Sequence, residues 1–169
     1  MDYIANFEKV SYAEFEHSMK DINGDYPDYW IKAVYDSIKL PKRATVGSAG
    51  YDFFAPYDLV IEPGETLLVP TGVRAKIVRN WVLMLFPRSG LGFKYRMQLN
   101  NTVGIIDSDY YHSDNEGHIF AKFTNDTNEN KTINIDGGNG MMQGIFVKFG
   151  ITEDDETCGI RNGGFGSTT

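Results

Sequence analysis

The 169-residue sequence predicts a mainly β domain, a sandwich or small barrel, with a short helical N-terminal extension. Two patterns predict it. From Leu40 onward, short runs rich in branched and aromatic residues recur about every ten residues, separated by Gly, Pro and Asn. Before Leu40 the apolar residues follow helical spacing instead. Composition agrees: 41% of residues are hydrophobic, and a chain of this length buries roughly 70% of its unfolded surface.

In the extension, "SYAEFEHSMKDINGD" opens with Ser11 and Glu14 at capping-box spacing and closes at Gly24. Val10, Phe15 and Met19 then share one face of a helix. "PDYWIKAVYDSIKL" starts with Pro27, suited to a first helical turn, and spaces Trp30, Val34 and Ile38 four apart. That pattern predicts a second helix whose last residues are extended. Next, "YDLVIEPGETLLVPTGVRAKI" gives strands broken at "EPGE" and "PTG", and "WVLMLF" is a short apolar strand ended by Pro87. "GHIFAKFTN", "KTINID" and "QGIFVKFGI" are further strands, with "TNDTNENK" a polar hairpin loop. The expected organisation is an extension over 1–38, a β core over 39–160 and a flexible strip over 161–169.

A net charge of −7 and a pI near 4.9 argue against nucleic acid or an anionic membrane as partner. The N-terminus lacks the apolar run of a signal peptide, and no stretch approaches about 18 apolar residues. Cys158 is the only cysteine, so no intrachain disulfide forms. A reducing, cytoplasmic setting is expected.

Several segments place reactive groups among glycines. Asp52 stands in "GSAGYDFFAP". "FPRSGLGFKYR" offers the Arg88 fork, the Ser89 hydroxyl, and Gly90 and Gly92, which let backbone amides approach an anion. A helical turn there adds partial positive charge. "LNNTVGIIDSDYYHSDNEG" suggests a hairpin with Val103, Ile105 and Ile106 inside it. Asn101 at one end and Asp107, Asp109 and Tyr110 at the other then edge a pocket. A carboxylate at a strand end is a natural general base. Each segment also reads as an ordinary turn or surface loop. His112, Glu116 and His118 suggest a metal site, but "HSDNEGH" is polar enough to read as a solvated loop.

In order, "AGYDFFA", "PRSGLG", "NNTVGIIDSDY", "GNGMMQ" and "RNGGFGSTT" resemble the five motifs of the homotrimeric dUTPases, from about Leu40 to the C-terminus. The resemblance implies a jelly-roll-like β barrel and a homotrimer with sites shared between subunits. The implied reaction takes dUTP to dUMP and pyrophosphate with Mg2+, keeping uracil out of DNA and supplying dUMP for thymidylate synthesis. Asp107 matches the aspartate that activates water for attack on the α-phosphorus. Asn101, with backbone groups of Gly104, Ile105 and Ile106, matches the uracil-reading edge. Tyr110 matches the tyrosine under the deoxyribose. Arg88, Ser89, Gly90 and Gln143 match phosphate contacts, and Asp52 matches an aspartate linked to magnesium through water. In the tail, Phe165 is implied to stack on uracil and Arg161 to face phosphate. Ser167 and Thr168 are implied to donate to the γ-phosphate, with Gly166 letting the strip wrap closely.

The chain departs from the family at three points. Asn139 and Gly140 stand where an acidic residue and an arginine are usual. The glycine that commonly follows Tyr110 by two residues is delayed to Gly117. Arg161 stands two residues before Gly163 rather than three. Two other readings use the same pocket: a nucleotide-responsive binding protein and a dCTP deaminase-like relative. Deamination needs an active-site glutamate, and none occurs between Glu65 and Glu116.

Overall fold

A computed structural model describes residues 3–164, apart from the side chain of Asn23. The chain opens with strand β1 (Ala5–Lys9), helix α1 (Tyr12–Asn23) and helix α2 (Asp28–Ser37). The expected capping box is only half formed. Ser11 Oγ accepts from the Glu14 amide, and Gly24 ends α1 at a φ of 71°. The Glu14 carboxylate, however, turns to Ser18 and His118, and the Ser11 amide donates to Glu116 instead. Pro27 occupies the cap position of α2 rather than its first turn, and Ile38 leaves the helix extended.

Two more elements begin the β region, β2 (Lys42–Arg43) and β3 (Tyr51–Phe54). The run read as strands broken at "EPGE" and "PTG" becomes β4 (Leu59–Ile61), β5 (Thr66–Pro70) and β6 (Val73–Ile77). Then come β7 (Trp81–Pro87), the short helix α3 (Ser89–Tyr95), β8 (Met97–Leu99) and β9 (Gly104–Ile106). A 3-10 helix follows over Ser108–His112, and β10 (Phe120–Asn125), β11 (Ile133–Ile135) and β12 (Gly140–Lys148) complete the fold.

The largest sheet runs β2-β3-β12-β7-β9, a second runs β5-β10-β8, and β11-β4 and β1-β6 form pairs. Every pairing is antiparallel. The mainly β, jelly-roll-like architecture is as expected, but two expected hairpins are not. β8 pairs with β10 while β9 pairs with β7, so the turn over 100–103 crosses between sheets. Likewise "TNDTNENK" leads from β10 to β11, which pairs with β4.

One core joins helices and sheets. Phe15, Met19 and Ile31 from the helices are fully buried in the same cluster as Leu83, Phe123 and Ile133 from the strands. Each such side chain contributes about 1.5–3 kcal/mol by leaving water. Strand β1 was not legible in the sequence; it adds to β6 with Phe7 opposite Ala75. Among the described residues, no helix is long and apolar enough to cross a membrane.

Candidate functional site

β9 is an edge strand of the five-stranded sheet, bonded to β7 on one side only. Edge strands turn one row of backbone donors and acceptors outward. Beside this edge lies a cleft of about 940 Å³. Asn101, Val103, Gly104, Ile105 and Ile106 form its lip, Leu85 and Leu99 line its apolar side, and Tyr110 also lines it. Gly104 belongs there for want of space, since a Cβ would sit 3.0 Å from the Leu85 Cβ. Ile105 remains 52% exposed, so the apolar run 103–106 lines a cleft rather than filling a hairpin interior.

Asp107 follows β9 directly and precedes the 3-10 helix that carries Tyr110. Tyr110 is 5% exposed. Its hydroxyl donates to the His118 carbonyl at 2.7 Å and accepts from Asn115 Nδ2 at 2.8 Å. Burial pushes the phenol above its ordinary value of 10.0, with Asn115 opposing the shift. The hydroxyl is therefore spent inside the fold, and the ring is what the cleft receives. Gly164 packs on that ring, where a Cβ would lie 2.7 Å from Tyr110 Cε2. Arg161, three residues earlier, donates to Asp107 Oδ2 at 2.5 Å and to Asp109 Oδ1 at 2.9 Å.

Asp52, Arg88, Ser89 and Gln143 meet elsewhere, in a pocket of about 210 Å³. Asp52 on β3 lies opposite Gln143 on β12. Arg88 Nε approaches Asp52 Oδ1 at 3.2 Å, while Nη1 donates to the Gly140 carbonyl at 3.2 Å. The altered fourth motif makes this possible, because a Cβ on residue 140 would stand 2.6 Å from Arg88 Nη1. Gly50 similarly admits Gln143, whose Oε1 lies 2.7 Å from where a Cβ would be. Ser89 opens α3, whose N-terminus has no side-chain cap, so the Ser89 and Gly90 amides lack an intrahelical partner.

The structure thus splits the sequence-derived residues into two groups. Ile106 lies opposite Leu83, five residues from Arg88 along β7. At ~3.4 Å per residue, Asp107 stands about 17 Å or more from the Arg88 end of that strand. Within one chain, Asp107 therefore lies beside Arg161 but apart from the pocket of Asp52, Arg88, Ser89 and Gln143. Phe165, Gly166, Ser167 and Thr168 lie outside the described residues.

Two features escaped the sequence. Helix α1 supplies Ser18, Asp21 and Ile22 to the cleft wall. The segment "HSDNEGH" is not a solvated loop: Ser113, Gly117 and His118 are buried. His118 Nε2 accepts from the Gly72 amide at 2.8 Å, and Nδ1 faces Ser18 Oγ at 3.1 Å and Glu14 Oε1 at 3.2 Å. The one available signal was Phe120 and Ile119 immediately after it, which draw the end of the loop inward.

A family model described as dUTPase matches residues 36–169. The deoxyuridine 5'-triphosphate nucleotidohydrolase of Lactococcus lactis is 42% identical over 134 residues, covering 78% of this chain and 88% of that protein. Its counterpart in Sodalis glossinidius is 38% identical over 143 residues, covering 80% and 90%. Among solved structures, the dUTPase from Streptococcus mutans superposes with a TM-score of 0.65 at 36% identity, covering 88% of this chain and 98% of that one.

Proposed function

The chain belongs to the dUTPase family, and we propose that it cleaves dUTP to dUMP and pyrophosphate at sites shared between the subunits of a homotrimer. The observation that carries this reading is Asp107 at the end of an edge strand, contiguous with the cleft that Tyr110 lines. Uracil pairs with the outward backbone of β9 and with Asn101, as one further strand would. Cytosine presents the opposite donor and acceptor pattern on that edge and leaves buried groups unpaired. A C5 methyl finds no room against the lip packed beside that carbon, so thymine is rejected sterically. The Tyr110 ring underlies the sugar and leaves no room for a ribose 2′-hydroxyl.

Asp107 accepts a proton from the attacking water as that water adds to the α-phosphorus, and pyrophosphate leaves. Arg88, Ser89, Gln143 and the free α3 amides hold the phosphate oxygens and offset the charge that develops on the leaving group. They sit too far from Asp107 of the same chain, which supports completion of each site by another copy. When nucleotide binds, Arg161 exchanges Asp107 for a phosphate.

Among the described residues, no group of three or more His, Cys, Asp or Glu is placed to hold a metal. Asp52 nonetheless fits magnesium, a hard cation that keeps most of its waters and is held mainly by substrate phosphates. When bound there, magnesium supplies neutralisation of the triphosphate charge. The enzyme is proposed to act in the cytoplasm, where it keeps uracil out of DNA and supplies dUMP.

The test is release of pyrophosphate by the purified chain with magnesium. It is expected from dUTP and not appreciably from UTP, dTTP or dCTP. Comparable turnover of all four would overturn the assignment.

A further inference from the structure

Two stretches lie outside the matched family model or its usual motif spacing: the segment before residue 36, where the model's match begins, and the run that delays the glycine after Tyr110 to Gly117. In the fold they are bonded to each other. The Glu8 carboxylate on β1 accepts from the Tyr111 hydroxyl at 2.7 Å and from Arg74 Nη2 at 3.1 Å. The amide and hydroxyl of Ser11 both donate to Glu116, at 2.7 and 2.6 Å. Glu14 and Ser18 on α1 meet His118 Nδ1. Because Nε2 accepts from the Gly72 amide, the ring proton is assigned to Nδ1, which donates to α1.

The tied loop is not relaxed. Glu116 takes a φ of 57°, uncommon for a non-glycine residue, and Gly117 follows at 73°. A Cβ on Gly117 would lie 2.7 Å from Tyr111 Cα and 2.8 Å from the Tyr110 carbonyl. The loop therefore folds back onto the backbone of Tyr110 itself. From there it fixes the Tyr110 hydroxyl through Asn115 and the His118 carbonyl.

We propose that β1 and α1 are a positioning brace for Tyr110: they hold the inserted loop 111–118, which in turn sets the ring that selects deoxyribose. Glu8 and Glu116 are then positioning residues, acting through the loop without touching the nucleotide. This rests on reading the cleft as the deoxynucleotide site. A tie that served stability alone would lower the melting temperature and leave substrate selection where it was.

The test uses Glu116→Ala and Tyr111→Phe, singly and together, in the full chain. Neither residue lines the cleft, so a change in selection is indirect and reaches the nucleotide through the loop or through α1. Two readouts are taken: amide hydrogen exchange over 108–118, and the ratio of kcat/KM for dUTP to that for UTP. Exchange is expected to accelerate, and the ratio to fall about tenfold, the size expected when a contact residue is displaced slightly from its working position. The effect lies mainly in KM. Unchanged exchange overturns the brace. Faster exchange with the ratio intact overturns its role in selection. A wild-type chain that fails to cleave dUTP defeats the functional reading instead, and the exchange measurement still decides the brace.

Discussion

Arg161 Nη2 donates to Asp107 Oδ2 at 2.5 Å, so the tail cation of a single chain rests on the carboxylate proposed to activate water. Its Nε is engaged by Asp109 as well. In that arrangement one of the two Asp107 carboxylate oxygens is occupied. Nucleotide binding has to offer Arg161 a better partner, and a phosphate does. Replacing Arg161 with Ala is expected to lower kcat/KM for dUTP at least tenfold, since charge-assisted hydrogen bonds are worth about 1.5–3 kcal/mol. The melting temperature should hardly move, because the pair is only partly buried and such pairs contribute about 0–1 kcal/mol. Steady-state kinetics beside a melting curve check both parts; unchanged kcat/KM removes Arg161 from the site.

Asp107→Asn keeps shape and loses basicity. Turnover should fall by about 10²–10⁴, the usual contribution of a positioned general base. Affinity for a non-hydrolysable dUTP analogue should stay within a few-fold, measured by calorimetry. A fully active variant would place the base elsewhere.

Gly140→Ala is a sharp probe of the phosphate pocket. The added methyl would meet the end of the Arg88 side chain, with Nη1 at 2.6 Å and Cζ at 2.9 Å. A flexible arginine gives way at little cost in stability, but its guanidinium then leaves Asp52 and the Gly140 carbonyl. The expected result is an unchanged melting temperature with kcat/KM down about tenfold, one charge-assisted contact. Retained activity would mean that the Arg88–Gly140 contact is dispensable.

Stability should fall in mildly acidic solution through one residue. Burial holds His118 below its ordinary value of 6.5, against the opposing pull of Glu14 and Glu116. The unfolded chain binds this proton more readily than the folded one, so the contribution is present above pH 6.5 and lost as the pH falls below it. Glu8 and Glu116 titrate below 4.5, outside that window. The Tyr111 hydrogen bond is the main cause for Glu8. For Glu116, hydrogen bonds from Ser11 and the Arg74 charge outweigh a burial effect of opposite sign. Melting temperatures are expected to drop from pH 6.5 toward about 5, and His118→Gln, which still accepts from Gly72, should flatten that slope. An equal slope in the variant would assign the loss to another group.

What could be read in advance follows from the range of each interaction. Helix α1 was legible because its signals, Ser11 and Gly24, lie within its own ends. Strand β1 was not, because Asn6 and Glu8 look solvated and its partner β6 lies some 68 residues on, from Ala5 to Val73. The apolar run at 103–106 announced a strand correctly, yet nothing local says which sheet a strand joins. His118 was misread for a related reason: Asn115 and Glu116 look solvated in sequence, but they bond Tyr110 and Ser11 while the ring turns in toward Gly72. The residues of both pockets were legible as chemistry. Their separation was not, because order along a chain carries no distance.

That separation has a genetic consequence. If Asp107 of one copy works on phosphates held by Arg88 of another, a chain lacking Asp107 and a chain lacking Arg88 are each inactive alone yet repair one another when mixed. Some sites in the mixed assembly then hold both intact residues. A cell with two different damaged alleles would keep a fraction of its enzyme, whereas a cell with two copies of the same damaged allele would keep none.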